Sequence, residues 1–86
     1  MDMNCYSVYD SKAGMFMPPF YQHSHALAER VMIGALMERE HQFFKHAEDF
    51  TLFFVGVWSD EFGTFTMDEP PQAVANLAGL KAAMGE

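Results

Sequence analysis

The sequence predicts an α+β fold of two layers, in which one main helix packs on one face of a four-stranded antiparallel sheet. Half of the 86 residues are hydrophobic and 15% are aromatic, so the chain has enough apolar surface to fold. Four short segments have the composition and alternation of strands, and a single segment of helix formers separates them into two pairs. The order β-β-α-β-β favours a helix layer over an antiparallel sheet.

The N-terminal segment predicts a β-hairpin. Residues 3–9 alternate between the two faces of a strand and are rich in aromatic and β-branched types. Gly14 then supplies a turn position at which a positive φ carries no steric penalty. Residues 15–17 return as the second strand, and Pro18 and Pro19 end it because neither can donate a ladder hydrogen bond.

The main helix is predicted from about His25 to Glu40, with Ser24 as its N-cap. Good helix formers dominate this segment. Its apolar arc is wider than one packed face requires, so part of the arc is free for a partner. The arc consists of Leu27, Ala28, Val31, Met32, Ile33, Ala35 and Leu36. Residues 41–49 form a polar connection that can hold one helical turn.

The strongest strand signal covers residues 51–58. Alternation places Leu52, Phe54 and Trp58 on one face, and Phe53, Val55 and Val57 on the other. A strand that is apolar on both faces is either buried on both faces or meets a partner. A homodimer is the simplest way to cover the open sheet face.

The remainder of the chain completes the second hairpin. Gly63 lies at the turn, and residues 64–67 pair back as the fourth strand. Asp68-Glu69-Pro70-Pro71 breaks the pattern, and residues 72–84 have the composition of a short C-terminal helix. The length predicts one domain over residues 1–86, with 70–86 as a candidate for a loosely attached tail.

Charge and cysteine usage exclude several classes of protein. Five basic residues against twelve acidic ones give a net charge of −7, which opposes broad electrostatic binding of nucleic acid. Cys5 is the single cysteine, so the chain forms no internal disulfide and suits a reducing cytoplasm. No apolar run reaches the roughly 18 residues of a membrane span, and the first ten residues lack a signal-peptide pattern. We therefore expect no membrane partner.

The histidines are candidate metal ligands by residue type. Two of them flank the start of the helix, and the other two follow its end near three carboxylates. A helix of about sixteen residues separates the pairs by about 24 Å. We therefore expect surface or capping histidines and no bound metal. The side chains concerned are His23, His25, His41, His46, Glu40, Glu48 and Asp49.

Catalysis has little support in the sequence. Nucleophile-elbow, P-loop, Cys-x-x-Cys and dinucleotide-binding patterns are all absent. Cys5 lies on a strand that faces a small core, where a thiol is usually inert. The adjacent carboxylates at 48–49, 60–61 and 68–69 fall in predicted turns, where such groups are solvated. We expect a protein that is not an enzyme, with no catalytic residue and no cofactor.

Exposed aromatic rings offer a different kind of site. Unpaired bases stack on such rings with about 1–3 kcal/mol per contact and little sequence preference. Candidate stacking residues are Tyr6, Phe54, Trp58 and Phe65, and candidate phosphate contacts are Lys12 and Lys45. The alternative is that these rings belong to the core and to a dimer interface, and the acidic charge balance favours that alternative.

Several segments resemble the small nonstructural protein of gokushovirus-type microviruses, which are single-stranded DNA phages. The resemblance covers most of residues 4–67. Where such proteins usually have His-Pro-Glu-Asp-Tyr, this chain has Ala47 and Phe50. The matching stretches are Tyr6-Ser7-Val8-Tyr9-Asp10-Ser11-Lys12-Ala13, Pro18-Pro19-Phe20, Phe44-Lys45-His46-Ala47-Glu48-Asp49-Phe50-Thr51-Leu52-Phe53, Val55-Gly56-Val57-Trp58 and Gly63-Thr64-Phe65.

The resemblance implies a protein without enzymatic activity in the cytoplasm of an infected bacterial host. It further implies a role in single-stranded genome synthesis or packaging, in some members through DNA binding. Two hypotheses follow. One is a dimeric accessory protein that binds single-stranded DNA weakly through aromatic residues. The other is an acidic dimeric adaptor that binds viral or host replication or packaging proteins and never contacts DNA. Clustering of the five basic side chains on one surface would favour the hypothesis of DNA binding. A scattered arrangement of these side chains would favour the adaptor.

Overall fold

The computed structural model describes residues 1–86 and confirms the α+β class. One antiparallel sheet carries the helices on one of its faces. A single 3-10 turn, Ala47–Asp49, precedes the fourth strand. The strands are β1 (Met3–Asp10), β2 (Met15–Phe16), β3 (Phe20–Gln22), β4 (Phe50–Ser59) and β5 (Thr64–Asn76), and the helices are α1 (His25–Leu36), α2 (Gln42–Lys45) and α3 (Leu77–Ala83).

The sheet has five strands rather than the predicted four. Its order is β2-β1-β4-β5, and β3 pairs with β1 next to β2. β2 pairs with the Asp10 end of β1, and β3 pairs with its Asn4 end. Pro18 and Pro19 therefore interrupt one edge strand and do not terminate it, because a proline on an edge removes only a donor that would face solvent.

The second hairpin also continues past its prolines. β5 extends through Pro70 and Pro71 to Asn76, as an edge strand beside β4. The C-terminal helix is confirmed but begins at Leu77 rather than at residue 72. Leu77 is fully buried, and Val74, Ala78, Leu80 and Met84 are partly buried against the same core cluster.

Helix α1 begins where the sequence predicts and ends earlier. The Ser24 side chain accepts a hydrogen bond from the Leu27 amide at 3.2 Å, as expected of an N-cap. The helix stops at Leu36 rather than at Glu40. Carboxylates are unfavourable at the negative end of a helix dipole, so Glu38 and Glu40 gain nothing from its continuation.

The core lies between the helices and the sheet face that carries Tyr6 and Val8. Both residues are almost completely inaccessible. The Tyr6 hydroxyl lies 2.6 Å from Nδ1 of His25 and accepts a hydrogen bond from the Asn4 amide, so its polar atom is satisfied inside the domain. The remaining buried members of the cluster are Ala28, Met32, Leu36, Phe43, Ala47, Phe50, Leu52 and Leu77.

A β-bulge in β4 changes which face its later residues occupy. Phe54 pairs with Tyr6 and Gly56 pairs with Cys5, so Val55 is an extra residue in the ladder. One extra residue moves every later side chain to the opposite face. The prediction that Trp58 shares a face with Leu52 and Phe54 is therefore wrong: Trp58 lies on the other face.

Candidate functional site

None of the paired strand residues on the sheet face that points away from the helices is charged, although 20% of the chain is charged. We call this sheet face the outer face. Cys5, Ser7 and Tyr9 lie on it because they alternate with the core residues of β1, and residues directly opposite them in the ladder share their side. Its other members are Met3, Phe16, Tyr21, Phe53, Val55, Trp58, Phe65 and Met67.

At one end of the outer face, three rings form what we call the ring platform: Tyr21, Trp58 and Phe65. The Phe65 centroid lies 6.4 Å from that of Trp58 and 6.5 Å from that of Tyr21. Each ring exposes between 37% and 40% of its area. A hollow of about 340 Å³ opens beside them, lined by Met3, Tyr21 and Trp58. The plane of the Phe65 ring is inclined by 49° to that of Trp58 and by 70° to that of Tyr21, so each ring offers its own partly exposed surface to an apolar group.

Gly56 allows the ring platform to lie close to the sheet. A Cβ atom at this position would lie 2.6 Å from Cε1 of Phe65 and 2.5 Å from the Thr66 carbonyl oxygen. No side chain other than hydrogen fits, and the Phe65 ring occupies the space above the glycine. The smallest residue of β4 therefore determines where the platform can form.

Cys5 lies on the outer face at the same end as the ring platform, and only 1% of its area is exposed. Burial raises the pKa of the Cys5 thiol, because a thiolate would lose its hydration there. The thiolate is the reactive form, so both effects suppress reaction. This geometry supports the prediction of an inert structural thiol.

Native Cys5 is therefore expected to react with an aromatic disulfide reagent about a hundredfold more slowly than in the urea-unfolded chain, since reaction requires local opening. Absorbance of the released thiolate at several urea concentrations measures this. A rate in the native protein equal to that of the unfolded chain would contradict the buried assignment.

The middle of the outer face is concave. A trough of about 290 Å³ crosses the sheet. Its floor includes Ser7, whose hydroxyl donates a 2.6 Å hydrogen bond to the Met17 carbonyl and is thereby satisfied. The complete lining is Ser7, Phe16, Met17, Pro19, Val55, Met67 and Pro71. Both edge strands thus contribute a proline to its walls.

A second group of rings lies at the opposite end of the outer face. Phe16 packs 4.9 Å from Tyr9 and 5.4 Å from Phe53, measured between ring centroids. Phe16 remains 46% exposed on its short edge strand. Aromatic and apolar side chains therefore follow the outer face from one end to the other.

The structure separates the four rings that the sequence offered as stacking candidates. Trp58 and Phe65 lie together on the ring platform. Tyr6 is fully buried, and Phe54 is half-buried against Tyr6, with 5.8 Å between centroids. Tyr6 therefore has no exposed surface on which a base could stack, and Phe54 lies beside it on the side of the core. Tyr21 joins Trp58 and Phe65 on the outer face; it lies in β3, a strand that the sequence pattern does not predict.

The two candidate phosphate contacts do not approach the ring platform. Trp58 pairs with Met3 at one end of β1, whereas Lys12 lies in the turn that follows the other end. Lys45 forms a 2.9 Å ion pair with Glu40 beyond the helix layer. The structure thus places these cations away from the rings with which they would have to cooperate.

Two other cations are engaged on the helix side. Arg39 and Lys81 lie on the Phe44 ring at 5.2 Å and 4.0 Å from its centroid. Arg39 also pairs with Glu86 at 2.7 Å, and Lys81 donates to the Phe44 carbonyl. This small cluster stabilises the packing of helices and is not a free basic surface.

The surroundings of the ring platform are acidic. Asp60 follows the end of β4 and lies 2.6 Å from the amino group of Met1. This hydrogen bond lowers the pKa of Asp60, so the carboxylate stays ionised at neutral pH. Glu61 follows Asp60 in the sequence, and Asp2 follows Met1. A polyanion would gain no electrostatic attraction at this end of the sheet.

Two of the four histidines, His25 and His41, make hydrogen bonds within the fold, and a third, His46, lies near two carboxylates. His41 caps α2 by accepting from the Phe43 amide, and His25 contacts Tyr6. His46 lies near Glu48 and Asp49, with one ligand atom from each within 4.8 Å of the others. All three are accessible to water at the surface. The expectation that the protein binds no metal stays a prediction.

These features define a small two-layer α+β protein whose helices cover one sheet face and whose other face presents an uncharged, aromatic surface. The chain belongs to the Phage ORF5 protein family, whose model matches residues 3–80. It is therefore a phage protein. No curated protein and no solved structure is similar enough to add a closer relative. None of its helices has the length and apolar character needed to cross a membrane.

Proposed function

We propose that this chain is a nonstructural accessory protein of a gokushovirus-type single-stranded DNA phage, without enzymatic activity. It acts in the cytoplasm of the infected bacterium and assists genome replication or packaging. Membership of a phage family and the motif resemblance over residues 4–67 support the proposal that the protein acts in an infected bacterium. The ring platform supports the molecular action, which is weak binding of single-stranded DNA.

The proposed contact is stacking of unpaired bases. Trp58 and Phe65 present partly exposed faces 6.4 Å apart, and Tyr21 extends the same surface. Each stacked base contributes about 1–3 kcal/mol, whatever its identity. Asp60 and Glu61 follow β4 at this end of the sheet, the Met1 amino group there is already paired with Asp60, and Lys12 and Lys45 lie elsewhere, so few phosphates are neutralised on binding. Affinity should then depend only weakly on salt, since the salt slope follows the number of neutralised phosphates.

Replacing Trp58 with alanine is expected to weaken binding of a labelled single-stranded oligonucleotide about tenfold, because one stacking contact is lost. Fluorescence anisotropy, titrated at low and moderate salt, measures the dissociation constant and its salt slope. Circular dichroism establishes that the variant is folded.

Phe62→Ala is the matched control, since Phe62 is 74% exposed in the turn between β4 and β5 and is not part of the platform. It should bind as the unsubstituted protein does. A folded Trp58→Ala protein with unchanged affinity would refute stacking on the platform. A steep salt slope would show that phosphate contacts dominate instead.

A second candidate function is the acidic adaptor. The distance between the rings and the cations favours it, since a DNA-binding surface normally places both together. In this role the chain binds a viral or host replication or packaging protein and never contacts DNA. Failure to bind DNA even at low salt would favour the adaptor over DNA binding.

A further inference from the structure

The outer face leaves an unusual amount of apolar area in contact with water. Only 13 of the 86 residues are buried, although half are hydrophobic. Five outer-face side chains are between 37% and 56% exposed: Phe16, Tyr21, Trp58, Phe65 and Met67. With a burial capacity of about 150–250 Å² for each large side chain, these five alone expose on the order of 400 Å².

The five exposed side chains supply about half of the area that one partner contributes to a standard dimer interface. Half-buried neighbours on the same face, Met3, Tyr9, Met17, Phe53 and Val55, enlarge the surface beyond the five exposed side chains. A standard interface buries about 800 Å² per partner, whereas the largest patch on a typical monomer is about 300–600 Å². The outer face lies at the boundary between these two classes, so pairing of the face with a similar surface is physically reasonable.

The shape of the face suits pairing with itself. The trough of about 290 Å³ is a concave feature that can receive side chains. Phe16 and Met67 line it, are about half exposed, and are the candidates for the projecting side chains. A two-fold interface requires projecting and receiving features on the same surface. The outer face has both. It also lacks any charge that would select a partner of opposite sign, so a second uncharged face is its natural complement.

Prolines at both edges direct pairing to the face. One edge carries Pro18 and Pro19, and the other carries Pro70 and Pro71. A proline cannot donate the ladder hydrogen bond that would add another strand. Association through continuation of the sheet is therefore blocked, and packing of one sheet on another remains available.

We propose that two copies of this chain pack outer face to outer face about a two-fold axis over the trough. Met67 and Phe16 of each copy lie against the trough of the other. The product is a sandwich of four layers, with helices outside and two sheets inside. This inference goes beyond the proposed function and does not depend on it, since it rests on the exposed apolar area and the shape of the outer face and not on base stacking.

The charge distribution adds a distinguishing property. Each copy carries a net charge of −7, and Asp68 and Glu69 follow Met67 in the sequence. Two copies therefore repel each other at long range while their uncharged faces attract at contact. Salt screens the repulsion, so the dimer should become tighter as salt rises. DNA binding changes in the opposite direction.

Sedimentation equilibrium over micromolar to submillimolar concentrations tests the proposal. The unsubstituted protein should reach about twice the 9.8 kDa of one chain, at lower concentration when salt is raised. Met67→Glu should raise the dimer dissociation constant about tenfold or more, because a carboxylate would be buried against an apolar surface. Met37→Glu is the matched control: Met37 is 71% exposed at the end of α1 and should leave association unchanged.

A monomer throughout this concentration range would overturn the proposal. So would equal weakening by both substitutions, which would indicate a general charge effect. The direction of the salt dependence separates dimerisation from DNA binding, because only dimerisation should tighten as salt rises. If the dimer forms but DNA does not bind, only the proposed function fails.

Discussion

Replacing Gly56 with alanine is expected to lower the free energy of unfolding by about 3 kcal/mol, near the upper end of overpacking effects. The new Cβ would lie 2.5 Å from the Thr66 carbonyl oxygen, 2.6 Å from the Phe65 ring and 3.2 Å from the Met67 Cα. Two of these three neighbours are backbone atoms of β5, so the strand itself would have to move. The barrier is the space available and not the backbone conformation, because φ at Gly56 is not positive.

Urea denaturation followed by circular dichroism measures this change. Gly34→Ala provides the control, since a Cβ there meets nothing within 4 Å. In the interior of α1 that substitution should stabilise the protein by about 0.5–1 kcal/mol, because alanine is the better helix former. Equal effects at the two glycines would show that the close approach of β5 at Gly56 does not limit the packing.

The same substitution bears on the site. Moving β5 away from Gly56 displaces Phe65, which links Trp58 to Tyr21 in the ring platform. A Gly56→Ala protein that still folds should therefore bind the oligonucleotide more weakly than the unsubstituted chain. In the double variant with Phe65→Ala, one of the three close contacts disappears, and part of the lost stability should return.

The predicted elements that the structure confirms are those with strong local signals. Ser24 caps α1, and Gly14 and Gly63 have φ values of +70° and +66° in the two hairpin turns. A short polar residue before a run of helix formers, and a glycine between two apolar runs, determine local backbone geometry with little help from the rest of the chain. Their positions could therefore be predicted from neighbouring residues alone.

The errors come from features that depend on a distant partner. The continuation of the edge strands past Pro18-Pro19 and Pro70-Pro71 requires β1 and β4 as templates. The bulge at Val55 depends on how β4 aligns with β1 and β5 at the same time. No periodicity within residues 51–58 reveals it. The predicted faces are therefore correct through Val55 and wrong for Val57 and Trp58.

The candidate site changed for the same reason. Alternation without the bulge predicts that Trp58 lies on the same face as Phe54. Residue type alone makes Tyr6 a candidate for a ring at the surface. The structure instead brings Trp58 to Phe65 and Tyr21 on the outer face. The sequence did predict that one sheet face would be left open and apolar, because residues 51–58 are apolar on both sides. The sequence alone predicts that an apolar sheet face is left open. Which side chains lie on that face depends on the strand register, which the sequence does not reveal.

Tyr6→Ala is expected to be the most damaging single substitution, with a loss of about 3–5 kcal/mol in the free energy of unfolding. Tyr6 is 0% exposed and its ring lies within 6 Å, between centroids, of Phe20, His25 and Phe54. Small domains are stable by only about 5–15 kcal/mol, so this variant can unfold altogether. Tyr6→Phe keeps the ring and removes only the hydroxyl.

Tyr6→Phe should lower the free energy of unfolding by about 1–2 kcal/mol, because His25 Nδ1 and the Asn4 amide would each lose a partly buried partner. Tyr21→Ala is the contrasting variant, since Tyr21 is 40% exposed on the ring platform. It should change stability less than Tyr6→Ala and weaken oligonucleotide binding more than Tyr6→Phe. If instead Tyr6→Phe abolished DNA binding while leaving urea stability unchanged, Tyr6 would be a ligand contact after all, and the separation of core from outer face would fail.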